Sequence, residues 1–168
     1  MNVLNMEFDT PYNSAPFSNI KITDFLPAFK TALAESKKNI VAIVSNPEPP
    51  NFKNTVEALE FSSLRLDRIS SLFFNLNAAE TNDAIQKIAQ EVSPLLTAHS
   101  NDVALNKSLF ERLKIVYNRL ENLNLTTEQK TLLEKKYKGF VRNGANLNPN
   151  DKTRLRKIDK ELSVSKLT

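Results

Sequence analysis

The single histidine, His99, is the first residue whose type could do chemistry. A helical zinc site needs a second histidine four residues away, so that both imidazoles share one face, and a glutamate beside the first. The positions four residues away on either side are Leu95 and Val103, so this pattern is absent. We therefore predict that His99 is a half-buried packing or capping residue near the end of an amphipathic helix, and not a metal ligand.

Carboxylates are the second class of residue that could be catalytic. Glu57 and Glu60 lie one helical turn apart, whereas Asp102 and Glu121 stand apart from other acidic residues. General acid–base catalysis needs two carboxyl groups in unlike environments, one of them desolvated. All four lie among Lys, Arg and Asn on faces that we predict to be solvent-exposed. We interpret them as capping and solubility residues.

The composition excludes several kinds of site. Cysteine is absent, which excludes disulfides, thiolate zinc sites, iron–sulfur clusters and a cysteine nucleophile. Two glycines, Gly139 and Gly144, are too few for a phosphate-binding loop. No apolar run approaches the roughly 18 residues of a membrane span, and the N-terminus lacks the features of a secretory signal. We therefore expect no membrane partner and a cytoplasmic location, or a periplasmic one if a signal segment has been removed.

The charge is uneven along the chain, with a total of +4. Residues 1–84 carry seven Lys/Arg against ten Asp/Glu, and residues 85–168 carry sixteen against nine. A nucleic-acid reader would also present aromatic side chains for stacking, but Tyr137 and Phe140 fall on the apolar stripe of their helix. We predict solvated helical faces and no nucleic-acid partner, with a nucleic-acid-binding bundle as the less favoured alternative. The basic residues concerned are Lys130, Lys135, Lys136, Lys138, Arg142, Lys152, Arg154, Arg156, Lys157 and Lys160.

Apolar residues recur at helical spacing almost throughout, which predicts an all-α fold of about six mostly antiparallel helices forming a bundle. Residues 1–22 are predicted to be an extended N-terminal arm, and residues 23–168 a helical domain. Prolines in the arm push their predecessors out of the helical region. The expected anchors of the arm are Phe8, Pro11, Tyr12, Pro16 and Phe17.

The first two helices have recognisable boundaries. The first is predicted from about Asp24 to Val44 with Thr23 as its N-cap, and the prolines within 47–50 end it. The second is predicted from Asn54 to about Asn77, with Glu57 completing a capping box three residues after the cap.

The later helices show similar signals. The third follows 81–83 and includes Pro94, which is expected to kink it without ending it. Gly144 is suited to the left-handed residue just past the fifth helix. The sixth helix is still running near the last residue, from which we expect the sequence to continue in a longer protein. The residues predicted to cap the last three helices are Asn106, Thr126 with Gln129, and Asn148.

Several motifs occur in a fixed order over about residues 10–163. Together they resemble bacterial peptidyl-dipeptidases, a branch of the thimet-oligopeptidase family of zinc metallopeptidases. The motifs are Pro11-Tyr12, Ala15-Pro16-Phe17-Ser18-Asn19-Ile20, Asp24-Phe25-Leu26-Pro27-Ala28-Phe29, Asn46-Pro47-Glu48, Asn51 to Glu60, Phe73-Phe74-Asn75-Leu76, Thr81-Asn82, Leu105-Asn106, Leu109-Phe110 and Phe140 to Leu147.

The resemblance implies a parent enzyme that releases C-terminal dipeptides from short peptides. In that family a His-Glu-x-x-His helix and a downstream glutamate hold zinc, and the glutamate of the motif acts as base. This sequence contains no His-Glu pair, so no catalytic, metal or cofactor residue is carried over and the chain alone is predicted to be inactive. Its helices would form a wall of the substrate channel. The implied partners are the rest of its own chain, which holds the catalytic domain, and short peptides.

A freestanding helical module that binds a partner helix in an apolar groove is the alternative function. If the chain is instead a part of a larger helical protein, as the resemblance implies, it should keep an uncovered apolar face where the rest of that protein packs. We expect this face at Phe25 and Phe29, at the Phe73-Phe74 pair and at the aromatic residues of the arm. Such a face could also make the isolated chain form a non-native dimer.

Overall fold

The computed structural model describes residues 2–165, and in that range it contains helices and no strand. The all-α prediction is confirmed. None of the helices in this range is long and apolar enough to cross a membrane. The α-helices are α1 Ile22–Val44, α2 Ala58–Glu60, α3 Leu64–Ala79, α4 Asp83–Ala104, α5 Lys107–Tyr117, α6 Thr127–Arg142 and α7 Pro149–Ser165.

Helix α1 is shared by two hydrophobic cores. Its N-terminal half packs against α3 and α4. Its C-terminal half packs against α2 and α5, in a core to which the 52–60 segment and α6 also contribute. Each core is built from apolar side chains at helical spacing, so the pattern that predicted the helices also builds the interior. The largest fully buried side chains of the first core are Leu4, Phe25, Phe29, Ile69, Phe73 and Val92. Those of the second core are Val56, Leu109, Leu113, Val116 and Leu133.

Phe73 lies at the centre of the aromatic contacts in the first core. Its ring centroid is 5.1 Å from that of Phe25, 5.5 Å from that of Phe29 and 5.2 Å from that of Phe74. Phe25, Phe29 and Phe73 are each no more than 2% exposed. The expectation that these residues form an uncovered face is wrong, because α1, α3 and α4 of this chain cover them with one another. Only Phe74 is partly buried, at the edge of the core.

The N-terminal segment is not uniformly extended. It makes three single 3₁₀ turns, Val3–Asn5, Pro11–Asn13 and Phe17–Asn19. Phe8 is buried, as expected of an anchor, but Tyr12 and Phe17 are 101% and 57% exposed and anchor nothing. The main apolar anchor is Leu4, which is fully buried in the first core.

Arg68 of α3 fastens this segment to the bundle. Its guanidinium donates hydrogen bonds to the carbonyl oxygens of Leu4 (3.2 Å) and Met6 (2.7 Å). It also lies 4.4 Å from the centre of the Phe8 ring, within the range of a cation–π contact. A single side chain therefore holds three consecutive features of the N-terminal segment.

Most predicted helix starts and stops are confirmed. Asn106 accepts a hydrogen bond from the Leu109 amide, and Asn148 accepts one from the Asp151 amide. Thr126 and Gln129 form the reciprocal capping box. Gly144 has φ +89°, the left-handed conformation, as predicted. Pro94 lies inside α4 without ending it, and α7 reaches Ser165; the last three positions lie outside the described residues.

Two predicted boundaries are wrong. Thr23 does not cap α1, which begins one residue earlier at Ile22, with the Lys21 amide donating to the Asp24 carboxylate. The second helix is capped by Asn51 and not by Asn54, because these two side chains accept hydrogen bonds from each other's backbone amides. This pairing starts a π-helical stretch, Phe52–Glu57, and a 3₁₀ turn at Phe61–Ser63 then separates α2 from α3.

Candidate functional site

The most distinctive polar feature of the interior is a contact between Ser36 of α1 and His99 of α4. The Ser36 Oγ and His99 Nε2 atoms are 2.9 Å apart, a hydrogen-bond distance. The two residues are 2% and 6% exposed. They lie in the wall of a cavity of about 450 Å³ between α1, α3, α4 and α6. His99 is therefore a packing residue, as the sequence predicts, but it is buried and not half-buried.

A serine hydroxyl at this distance from a histidine has the geometry of a nucleophile and its base. Such a base needs a third group that orients its ring. The His99 Nδ1 atom is buried without a hydrogen-bond partner among residues 2–165, and Ser36 is only 2% exposed. The contact ties α1 to α4, and no group among the described residues orients the imidazole ring as such a base would require.

Burial lowers the pKa of His99, because an apolar environment disfavours the imidazolium. The positive charge of Lys37 lowers the pKa further, and the carboxylates of Asp102 and Asp67 oppose the shift more weakly. The folded protein therefore favours the neutral ring. The unfolded chain has no such preference and takes up a proton near the ordinary value of 6.5.

This difference predicts a pH-dependent stability. Between the unfolded and the lowered folded pKa of His99, the unfolded state binds more protons, so the free energy of unfolding decreases as the pH falls below about 6.5. Urea unfolding at pH 7.5, 6.5 and 5.5, followed by circular dichroism, measures it. The matched control, His99→Gln, has no imidazole and should lose less stability over the same range. An equal loss in both proteins would contradict the assignment to His99.

The four carboxylates considered above are dispersed. Asp102 pairs with Arg156 of α7 at 2.7 Å, and Glu60 of α2 pairs with Lys136 of α6 at 2.6 Å. Glu57 precedes α2, and Glu121 lies in a single 3₁₀ turn. Asp102 and Glu60 therefore link pairs of helices. The sequence predicted only a capping or solubility role for them.

Some basic side chains of the C-terminal helices already have partners within the chain. Lys138 pairs with Glu134 one turn away, and the Lys152 ammonium donates to the Leu105 carbonyl oxygen. Tyr137 stacks on Tyr117 with ring centroids 3.9 Å apart, and Phe140 is buried in the second core. The two aromatic residues predicted to lie on the apolar stripe do so, and they are engaged in internal packing.

Sequence reasoning missed three residues that fix one part of the chain to another: Ser36, Arg68 and Arg112. Arg112 of α5 donates to the carbonyl oxygens of Asn46 (2.9 Å) and Glu48 (3.3 Å), and so holds the proline-rich connection after α1. Each of the three acts across more than 60 residues of sequence. No local pattern in the sequence signals such a contact.

No group of three or more His, Cys, Asp or Glu residues that could hold a metal ion occurs within 2–165. Fold and site together define a helical bundle with a buried Ser–His contact and interhelical ion pairs.

No protein-family model matches the chain. Individual proteins do. The chain is 38% identical over 151 residues to the dipeptidyl carboxypeptidase of Salmonella typhimurium, which covers 90% of this chain and 22% of the relative. It is 37% identical over 164 residues to the dipeptidyl carboxypeptidase of Escherichia coli, covering 98% and 24%. Oligopeptidase A of Escherichia coli is 25% identical over 154 residues, covering 92% and 23%.

These matches confirm the resemblance found in the motifs: the chain corresponds to a part of a thimet-oligopeptidase-family enzyme. It spans less than a quarter of the length of the relatives it matches.

Proposed function

We propose that the chain is a non-catalytic helical domain of a zinc-dependent peptidyl-dipeptidase that releases C-terminal dipeptides from short peptides. The observation that supports this most is the 37–38% identity to two dipeptidyl carboxypeptidases over at least 90% of the chain. The part of such an enzyme beyond this segment would supply the catalytic domain.

The one histidine supports a role without catalysis. Catalytic zinc sites use three protein ligands and leave a position for water. His99 is engaged with Ser36 inside the bundle, and no His-Glu pair occurs in the sequence. The metal and the general base of the proposed enzyme would therefore lie in the remaining polypeptide.

The bundle suits the role of a channel wall. Two packed cores share one continuous helix, and interhelical ion pairs tie α2 to α6 and α4 to α7. A surface held in this way keeps its shape when a peptide passes along it, which is what selection of short substrates by channel width requires. We propose that one face of the bundle forms a wall of the substrate channel.

The test compares this chain with a chimera in which it replaces the aligned segment of the Escherichia coli dipeptidyl carboxypeptidase. We expect the chain alone to hold no stoichiometric zinc and to leave a blocked tripeptide intact. The chimera should bind zinc and release the C-terminal dipeptide, and His99→Gln in the chimera should change neither zinc content nor activity. Tightly held zinc or dipeptide release by the chain alone, or an inactive folded chimera, would contradict the proposal.

A further inference from the structure

A groove runs along α4 between α3 and α7. Its volume is about 560 Å³. Phe74 of α3 lines one side, and Leu155 and Leu162 of α7 line the other. The α4 residues that line it include Ser93, Thr97, Ser100 and Ala104, whose spacings of four, three and four residues place them on one side of the helix.

Small residues in the floor allow a close approach of another backbone. Both walls contain large apolar side chains and belong to helices that pack on α4, so the groove has the shape that another helix of the bundle would fill. Grooves of this kind accept an amphipathic helix by its apolar face.

Helix α7 shows that this side of the bundle is incomplete. None of its residues is buried, although it is 17 residues long and packs on α4. Leu155, Ile158 and Leu162 form an apolar stripe at helical spacing, and Ile158 and Leu162 remain 43% and 51% exposed. About half of the surface of Ile158 and of Leu162 stays in water. Covering these side chains with another helix would be favourable, because burial of apolar surface stabilises a protein.

Two charged side chains of the groove also have no partner among the described residues. The carboxylate of Asp159 and the guanidinium of Arg142 make no hydrogen bond or ion pair with any residue in 2–165. Arg156, one turn from Asp159 on the same helix, pairs with Asp102. The groove thus offers an incoming segment one anionic and one cationic group beside its apolar walls.

We propose that this groove seats an amphipathic helix from the part of the enzyme that the chain does not span. The inference rests on the proposed function. More than three quarters of the length of the dipeptidyl carboxypeptidase relatives lies outside the aligned segment, so an occupant of the same polypeptide is available. The groove selects a helix with an apolar stripe, an acidic residue that reaches Arg142 and a basic residue that reaches Asp159.

Single-cysteine probes test this directly, because the chain contains no cysteine of its own. Ser100→Cys places a thiol in the exposed floor of the groove. Thr131→Cys is the matched control: it is exposed on α6, about 16 Å along the helix axis from Arg142. Maleimide labelling rates at each position, resolved by mass spectrometry, are compared between the isolated chain and the chimera described above.

We expect labelling at position 100 to be at least about tenfold slower in the chimera than in the isolated chain, since packed helices exclude the reagent. Labelling at position 131 should change by no more than about twofold. Unchanged labelling at position 100, or equal protection at both positions, would overturn the proposal. Protection at position 100 in the isolated chain that increases with its concentration would also overturn it, because the occupant would then be a second copy.

The two proposals fail in different ways. An active, zinc-bound chimera with an accessible position 100 overturns the groove assignment alone. A chimera that protects position 100 but releases no dipeptide overturns the proposed function and keeps the groove. A chimera with neither property overturns both.

Discussion

Replacing Phe73 by alanine is expected to lower the free energy of unfolding by about 3–5 kcal/mol, the cost of truncating a buried phenylalanine. Phe73 is 1% exposed and contacts the rings of Phe25, Phe29 and Phe74. The substitution removes three aromatic contacts together and leaves a cavity that helices fixed on either side cannot fill. Urea unfolding followed by the helical circular dichroism signal measures the change.

Phe17→Ala is the matched control for this prediction. Phe17 is 57% exposed, so removing its ring should change the free energy of unfolding by no more than about 0.5 kcal/mol. A loss in Phe73→Ala as small as that of the control would mean that the first core is not packed around Phe73.

Leu113→Ala is expected to cost about 2–5 kcal/mol by the same mechanism in the second core. Leu113 is fully buried on α5, in the cluster that also contains Ile43, Val56 and Leu133. Ile115→Ala on the same helix is the control, because Ile115 is 39% exposed and should lose much less. Equal losses in both variants would show that the orientation of α5 differs from that described.

Phe73 and Leu113 belong to separate cores, so their substitutions should be additive within about 0.5 kcal/mol in the double variant. A larger deviation would show that the cores are coupled through α1. The double variant therefore measures how independently the two halves of the bundle are stabilised.

Helix positions could be predicted wherever short-range chemistry decides them. The apolar period placed α1, α4, α5 and α6, and the caps Asn106, Thr126 and Asn148 fixed three starts. These features depend on residues within one turn of each other, which a sequence displays directly.

The failures arise where two local choices compete or where a distant contact decides. Asn54 could cap with Glu57 or pair with Asn51, and the reciprocal Asn–Asn pair prevailed. The 3₁₀ turn after α2 lies where Asn39 of α1 donates to the Ser62 carbonyl oxygen, a contact across 23 residues. Only the folded chain reveals that interaction.

The candidate site was predictable in part. His99 was assigned to packing from its neighbours alone, and the structure places it inside the bundle, 6% exposed. Its partner Ser36 could not be found, because 63 residues separate them and the rotation of α1 against α4 decides whether they meet.

The uncovered face was misplaced at Phe25, Phe29 and Phe73 for a related reason: these aromatic rings pack on one another inside the first core. Tyr12 and Phe17 of the N-terminal segment are exposed as expected, and a further exposed apolar stripe lies on α7, a helix of low hydropathy.

The sharing of α1 by both cores has a consequence for how such a chain can evolve. A helix of 23 residues is about 34 Å long and turns by about 100° per residue. One residue inserted between Leu33 and Ile40 would rotate every later side chain of α1 by about 100° around the helix axis. These side chains would no longer face the second core, whereas those that face the first core would keep their positions. Length changes should therefore be absent from the middle of α1 in functional homologues and confined to connections such as 45–51, where no helical phase has to be kept.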